Sequence, residues 1–514
     1  MHAIAQLQPK KPQKTTEPNF LSSRVIVAAM TQLGGLQVIL ALTGFVRNKV
    51  AAIYLKTAGI GEWSQILGVA TTVFLIVQFG MIVGLSRNTA AAKDQKDRQR
   101  QLSVANTLTT VIAIATILVA LALSRVSSPT RLLSGLGIST GQGLLMLLFI
   151  AALAPIEGFR NNYLSFLQGT LDIRGIATKR AIAVILATLA AIPLVSRFGI
   201  MGACLQFALA SVLLAALLGH RCHQLGYRPL QFQWERSSAV GLATLGGASL
   251  LVSFAYGLAD VLIRSQMIRF VGLSETGIYQ AAFLLSSQVT QIALGSIGVF
   301  SLASISRSTI PEVISHQLHA MYRVILPISA VGLGLLGLLE RPAVQLLFSS
   351  QFNSSTIFLP LLLVGNAMQA ACWVAGAPLL GCGRVRTWLA LQIVGASIRY
   401  LLVTTLLPVI GTQAIPLAFL LGQLFDLIAS IIVCSRYMQI STSRADLAKI
   451  AFSSGLPGAL ALIGLHPTPA AFGAGAIVLI VGAVILMPFP LSRFALVARG
   501  AAISRYLPFK TKTL

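Results

Sequence analysis

Acidic residues are scarce in this chain. Of 514 residues, 13 are Asp or Glu against 38 Lys or Arg, and charged residues make up only 10%. A soluble domain carries about a quarter charged residues, so a surface built for water is excluded. A mean hydropathy of +0.83 over the whole length excludes a soluble enzyme with one anchor. Cysteine is scarce as well: five residues, an odd number with no CxxC pair, so no disulfide framework is expected. There is no Walker A segment, no HExxH and no GxSxG, which leaves no recognisable ATPase, zinc protease or serine hydrolase. No motif for RNA or DNA is present. Residues 1–20 are polar and basic, and the first apolar run is too long for a signal-peptide core. His220, Cys222 and His223 are metal-capable types, but they fall on a loop and lack a fourth ligand.

What the chain has in abundance is apolar runs. At about 20 residues per crossing they allow about 14 transmembrane helices. The expected spans are 25–46, 63–86, 102–124, 142–168, 180–196, 200–219, 239–268, 277–304, 321–340, 356–381, 387–407, 412–435, 447–465 and 470–489. With the N-terminus inside, about 26 Lys and Arg fall on the cytoplasmic side and about nine outside, which sets the orientation by the positive-inside rule. Both termini are then cytoplasmic, and every external loop is short. The tail at 490–514 mixes apolar residues with five cations. It is either an interfacial helix on the anionic inner leaflet or a tail that only sets topology.

The chain also repeats itself. YLKTAGIGEWSQ (54–65) aligns without gaps to FVGLSETGIYQA (270–281), an offset that pairs Gly61 with Gly277 and Trp63 with Tyr279. Each copy opens a hairpin, spans 1–2 in one half and 7–8 in the other. Both hairpins start from the same side, so the halves are parallel repeats about an axis along the membrane normal.

Ionisable residues at membrane depth are expensive and usually face a partner or a cavity. Span 7 carries Asp260 and Arg264 one turn apart, on a stripe with Ser253, Tyr256 and Gly257. They either neutralise each other locally or face a cavity. Span 1 ends in Arg47 and Lys49, which either snorkel to the outer interface or meet an anion. Arg399 in span 11 and Asp426 in span 12 are candidates for a buried bridge, with Gln423 one turn from Asp426. Glu157 and Arg160 in span 4 are candidates for a helix-end pair.

LADVLIRSQMIRFVGLSETGIYQAAF (258–283) resembles the seventh-helix region of polysaccharide flippases, and 46–90 is similar to Wzx-type O-antigen translocases. Both belong to the multidrug/oligosaccharidyl-lipid/polysaccharide (MOP) exporters. GFVRN (44–48) is similar to the GFVRD of lipid II flippases (the MurJ-like branch), with Asn48 in place of Asp. The resemblance implies an all-α polytopic membrane protein with two six-helix lobes, related by a pseudo-two-fold axis along the membrane normal, plus two C-terminal helices. The expected parts are a tail at 1–24, an N-lobe at 25–219, a linker at 220–238, a C-lobe at 239–435, helices 13 and 14 at 447–489, and the tail at 490–514.

The implied function is flipping of a polyprenyl-diphosphate-linked oligosaccharide at the bacterial inner membrane. The chain would be a monomer without a cofactor, working beside other glycan-assembly proteins. Arg47, Arg264 and Arg399 would bind the diphosphate, since guanidinium matches phosphate geometry. Gln78, Gln288 and Gln291 would meet sugar. Asp260, Glu157 and Asp426 are the polar cavity residues at which H+ or Na+ coupling would act. The alternatives are a lipid II flippase and a cation-coupled multidrug exporter. A membrane-embedded polymerase lacks the external catalytic loop it would need.

Overall fold

The computed structural model describes residues 23–79, 81–125, 140–305, 310–466 and 468–486. Most of the N-terminal tail, the whole of 490–514 and the segment 126–139 lie outside the described residues. Every regular element among the described residues is helical, as the lipid environment requires of backbone polar groups. Among the described residues there are thirteen α-helices: α1 Ser23–Gln78, α2 Met81–Ala91, α3 Gln95–Arg125, α4 Thr140–Gly169, α5 Ile173–Gln224, α6 Arg236–Ile305, α7 Pro311–Leu338, α8 Glu340–Leu347, α9 Leu359–Gly381, α10 Val385–Ile410, α11 Ala414–Met438, α12 Arg444–Gly464 and α13 Pro469–Leu486. Among the described residues, nine helical stretches are long and apolar enough to cross a membrane.

Three helices are too long for one crossing. The 52 residues of α5 would extend about 78 Å if straight, more than twice the bilayer core of about 30 Å. Each of the three is broken by a single non-helical residue: Lys56 in α1, Gly199 in α5 and Gly272 in α6. Lys56 and Gly272 occupy the same position in the aligned repeat, so the two hairpins turn at matching residues. Both have positive φ with ψ near 180° (58°, −168° and 86°, 174°), a conformation open mainly to glycine. Gly272 adopts it freely, whereas Lys56 carries strain of about 1–3 kcal/mol.

The second part of α1 packs with α2 to α5 around buried clusters that include Phe74, Phe149, Phe166 and Leu218. Helices α6, α7, α9, α10 and α11 pack around Ile263, Phe358, Leu363 and Phe419 in one cluster and Tyr322 and Val374 in another. The most extensive helix–helix contact joins α1 to α6 across these two groups. Outward-facing Leu118, Leu189, Ile480 and Val484 are exposed, as expected for lipid-facing positions. Helix α12 is held against α7 by His319 and Asp446, whose Nδ1 and Oδ1 lie 2.5 Å apart. Helix α13 leans on α7 and α12 with few buried residues.

The short helix α8 follows the end of α7 and holds a buried carboxyl. Glu340 is fully buried, and neither oxygen is hydrogen-bonded among the described residues. Burial pushes its carboxyl up from 4.5 to about 8, against the opposing effect of Arg341. The folded chain therefore binds more protons here than the unfolded one, and stability falls as pH rises from about 4.5 to about 8. Glu340→Gln should raise stability by roughly 3 kcal/mol at pH 7. The gain should vanish below about pH 4.5 and level off above about pH 8. Thermal melts of the purified protein at pH 5, 7 and 9 test this; an equal gain at pH 5 and 9 would contradict it.

Candidate functional site

The repeat segments meet at one end of the molecule. A Cβ added to Gly61 would overlap the carbonyl oxygen of Leu273, and one added to Gly277 would overlap that of Thr57. Thr57 and Leu273 are themselves repeat partners, so the contact is reciprocal: each hairpin offers a glycine to the other's turn. The Thr57 and Ser274 hydroxyls are hydrogen-bonded at 2.7 Å across it. Only glycine permits this approach of backbone to backbone. At the opposite end, α2 and α3 meet the start of α6. Gly84 lies close to Leu242, and Gln101 Nε2 donates to Ser238 Oγ at 3.4 Å.

Between these ends, the α1–α6 seam continues along one face of α1 through Gly61, Gln65, Gly68 and Thr72, at helical spacing. Opposite them on α6 stand Arg264, Val261 and Gly257. Gln65 Nε2 donates to Val261 O at 3.2 Å, and Gln65 Oε1 accepts from Arg264 Nε at 3.2 Å. The Arg264 guanidinium fills the space that a side chain at Gly68 would need.

Arg264 also borders a cavity of about 20 Å³ lined by α6, α10 and α11, room for about one water. The cavity is lined by Asp260, Arg264, Tyr279, Gln280 and Arg399 and by apolar Ile263, Phe283, Ile415 and Phe419. Asp260 does not pair with Arg264 on its own helix. It forms an ion pair with Arg399 of α10, the Asp260 side chain 36% exposed and the Arg399 side chain 9%. The Arg399 guanidinium also sits 5.8 Å from the centre of the Tyr256 ring. The Tyr256 hydroxyl donates to Asp426 Oδ2 at 2.9 Å. The direct Arg399–Asp426 bridge considered from sequence is therefore replaced by an indirect one, Asp260–Arg399–Tyr256–Asp426. Asp426 Oδ1 and Arg399 Nε are buried and unpartnered among the described residues. The carboxylate of Asp426 fills the space beside Gly395, where a Cβ would overlap it.

The remaining candidates fall elsewhere. Arg47 and Gln288 approach each other over Gly44, whose added Cβ would be 4.0 Å from a nitrogen of each. Arg47 Nε is buried without a partner among the described residues. Lys49 is tied to α8 by a 2.8 Å bond to Gln345 O. Glu157 does not border this cavity: it is buried among α4 and α5, held by Arg160 at 2.6 Å and by Ser211 Oγ at 2.5 Å. Gln78 is buried at the end of α1, and Gln291 is exposed; neither borders the cavity. Gln65 and Gly68 escaped the sequence reading, and Tyr279 entered it only as the repeat partner of Trp63. The signal that pointed to them was the repeat itself, since Tyr279 matches Trp63 and Gln65 and Gly68 continue the stripe that begins at Gly61.

No protein-family model matches the chain. It is 22% identical over 381 residues to the lipid III flippase of Escherichia coli (strain K12), covering 73% of this chain and 90% of the relative. The lipid III flippase of Shigella flexneri matches to the same extent. Among solved structures, the chain resembles the lipid II flippase MurJ in an inward closed conformation. That match has a TM-score of 0.69 at 14% identity and covers 88% of this chain and 97% of that one. An inward-facing MATE multidrug transporter of the MOP superfamily aligns with a TM-score of 0.60 at 15% identity, covering 84% and 98%.

Proposed function

We propose that this chain, a transporter of the MOP exporter superfamily and not an enzyme, flips a polyprenyl-diphosphate-linked oligosaccharide from the cytoplasmic to the outer leaflet by alternating access. In this reading, the breaks at Lys56, Gly199 and Gly272 divide the long helices so that the chain crosses fourteen times. Residues 25–219 and 239–435 form two six-helix lobes joined by 220–238, and 447–489 adds two peripheral helices. The matched turns at Lys56 and Gly272 and the reciprocal Gly61–Gly277 contact support a two-fold axis along the membrane normal. The lobes rock against each other about a substrate path between them, opening one end as the other closes. The host membrane is the bacterial inner membrane, with both termini cytoplasmic.

The observation that carries the reading is the charge of the cavity wall. Two arginines, Arg264 and Arg399, face one carboxylate, Asp260, and Arg264 has no acidic partner among the described residues. Such a wall suits a diphosphate, because charge-assisted bonds from guanidinium to phosphate are strong and geometrically matched. It suits the cationic cargo of a drug exporter poorly. The lipid III flippase relatives favour a lipid-linked glycan as cargo, and Arg47 in GFVRN, whose buried Nε has no partner among the described residues, keeps a lipid II-type headgroup as the second reading.

Binding by the purified protein in lipid nanodiscs tests the ligand class. Farnesyl diphosphate should bind at least about tenfold more tightly than farnesyl monophosphate, a difference of about 1.4 kcal/mol. Tetraphenylphosphonium, a lipophilic cation, should not compete. Tight cation binding with no response to the diphosphate would sink the reading.

A further inference from the structure

We propose that Gln65 and Gly68 are positioning residues for Arg264: they hold it across the seam between the two halves until the diphosphate takes it from them. The inference rests on the diphosphate reading given above.

Arg264 belongs to α6 but lodges in α1. Its Nε is bonded to Gln65 Oε1 at 3.2 Å, and its terminal nitrogen occupies the space left by the missing side chain of Gly68. Gln65 is itself anchored by its other amide atom, which donates to Val261 O one turn before Arg264. The amide is thereby fixed with its oxygen toward the guanidinium. A neutral amide is the weaker kind of acceptor for an arginine. A phosphate oxygen forms a charge-assisted bond of roughly twice the strength.

The same guanidinium borders the water-sized cavity, which must widen for a phosphate to reach it. The phosphate's arrival sets up an exchange in which Arg264 leaves Gln65 for phosphate. That exchange removes a side-chain tie between α1 and α6. What remains along the seam is the Gln65–Val261 bond and close packing at Gly61, Gly277 and Gly257, the last against Thr72, together with the Thr57–Ser274 bond. Substrate binding thus loosens the contact that keeps the outer end shut. Differential affinity of the ligand for the two states is the only way it can shift them, and Arg264 supplies that difference.

Two readouts test the assignment. In the chain with its five cysteines replaced by serine or alanine, Thr57→Cys and Ser274→Cys place a cross-linkable pair across the outer contact. Gln65→Glu turns the tie into an ion pair. It should speed cross-linking in the ligand-free protein and weaken farnesyl diphosphate binding by about tenfold or more. Gln65→Ala should slow cross-linking and tighten binding several-fold, because a competitor is gone. Gly68→Ala should slow cross-linking, since the added Cβ occupies the guanidinium's place.

A merely structural role for Gln65 predicts weaker binding in both Gln65→Ala and Gln65→Glu, and that result would overturn the proposal. Cross-linking unmoved by both Gln65→Glu and Gly68→Ala would overturn it whatever the ligand data show. A wild-type protein that binds no farnesyl diphosphate, yet whose cross-linking responds as described, would overturn the diphosphate reading and the exchange built on it.

Discussion

Arg399→Ala is expected to be the most damaging single change in the membrane interior, with a loss of about 3–5 kcal/mol in stability. Asp260→Ala should cost roughly half as much or less. The charge count makes the difference. Removing Arg399 leaves Asp260 and the buried Asp426 with no cation directly bonded to either, and Asp426 keeps only the Tyr256 hydroxyl. Removing Asp260 leaves Arg399 beside the free Oδ1 of Asp426, with its own Nε also unspent, so the guanidinium has a second carboxylate to turn to. Adding Asp426→Asn to Arg399→Ala should recover part of the loss, because it removes a stranded charge; in the wild type the same change should be harmful. Thermal melts and membrane abundance measure all four proteins. Asp260→Ala worse than Arg399→Ala would mean that Asp426 plays no part in holding the arginine.

The second large effect belongs to the outer glycines. Gly61→Ala and Gly277→Ala each place a methyl group where the other hairpin's carbonyl oxygen lies. Backbone cannot yield as a flexible side chain does, so the hairpins must separate. Overpacking of this kind costs about 1–3 kcal/mol per site. Translocation should fall by about tenfold or more as the outer end is propped open, and cysteines at 57 and 274 should cross-link poorly. The two changes act on one reciprocal contact, so the double variant should cost less than the sum of the singles. Full additivity would show that the two glycines serve separate contacts. Replacements at Gly241 or Gly473, where an added Cβ meets nothing within 4 Å, serve as controls.

The architecture was legible in the sequence where a property repeats along the chain. Apolar length gave the all-helical membrane protein, and the 54–65 and 270–281 match located two turns that the structure places at Lys56 and Gly272. The pairing of charges was legible only where it is local. Glu157 and Arg160, three residues apart, do pair. Asp260 and Arg264 stand at an equally good helical spacing and do not, because Asp260 points to α10 and Arg264 to α1. Which partner an ionisable side chain takes depends on the rotation of each helix and on which helices are neighbours, and neither leaves a periodic trace. The space beside Gly68 was hidden for a related reason: a glycine in a span looks the same whether lipid or a guanidinium fills the gap. Gln78 and Gln291 are further cases, polar residues at plausible depth that do not border the cavity.

Transport of a diphosphate-linked glycan across a bilayer, as proposed, is open to direct measurement. The most direct measurement is reconstitution into vesicles with a fluorescent polyprenyl-diphosphate oligosaccharide and a membrane-impermeant quencher. In protein-free vesicles about half the probe, the inner-leaflet share, should stay protected, since a charged headgroup does not cross the hydrocarbon core unaided. With the wild-type chain the protected fraction should become accessible to the quencher, and Arg264→Ala should restore protection at equal protein content. A protected fraction unchanged by the wild-type chain, in vesicles where the same protein exchanges a lipophilic cation, would contradict the account.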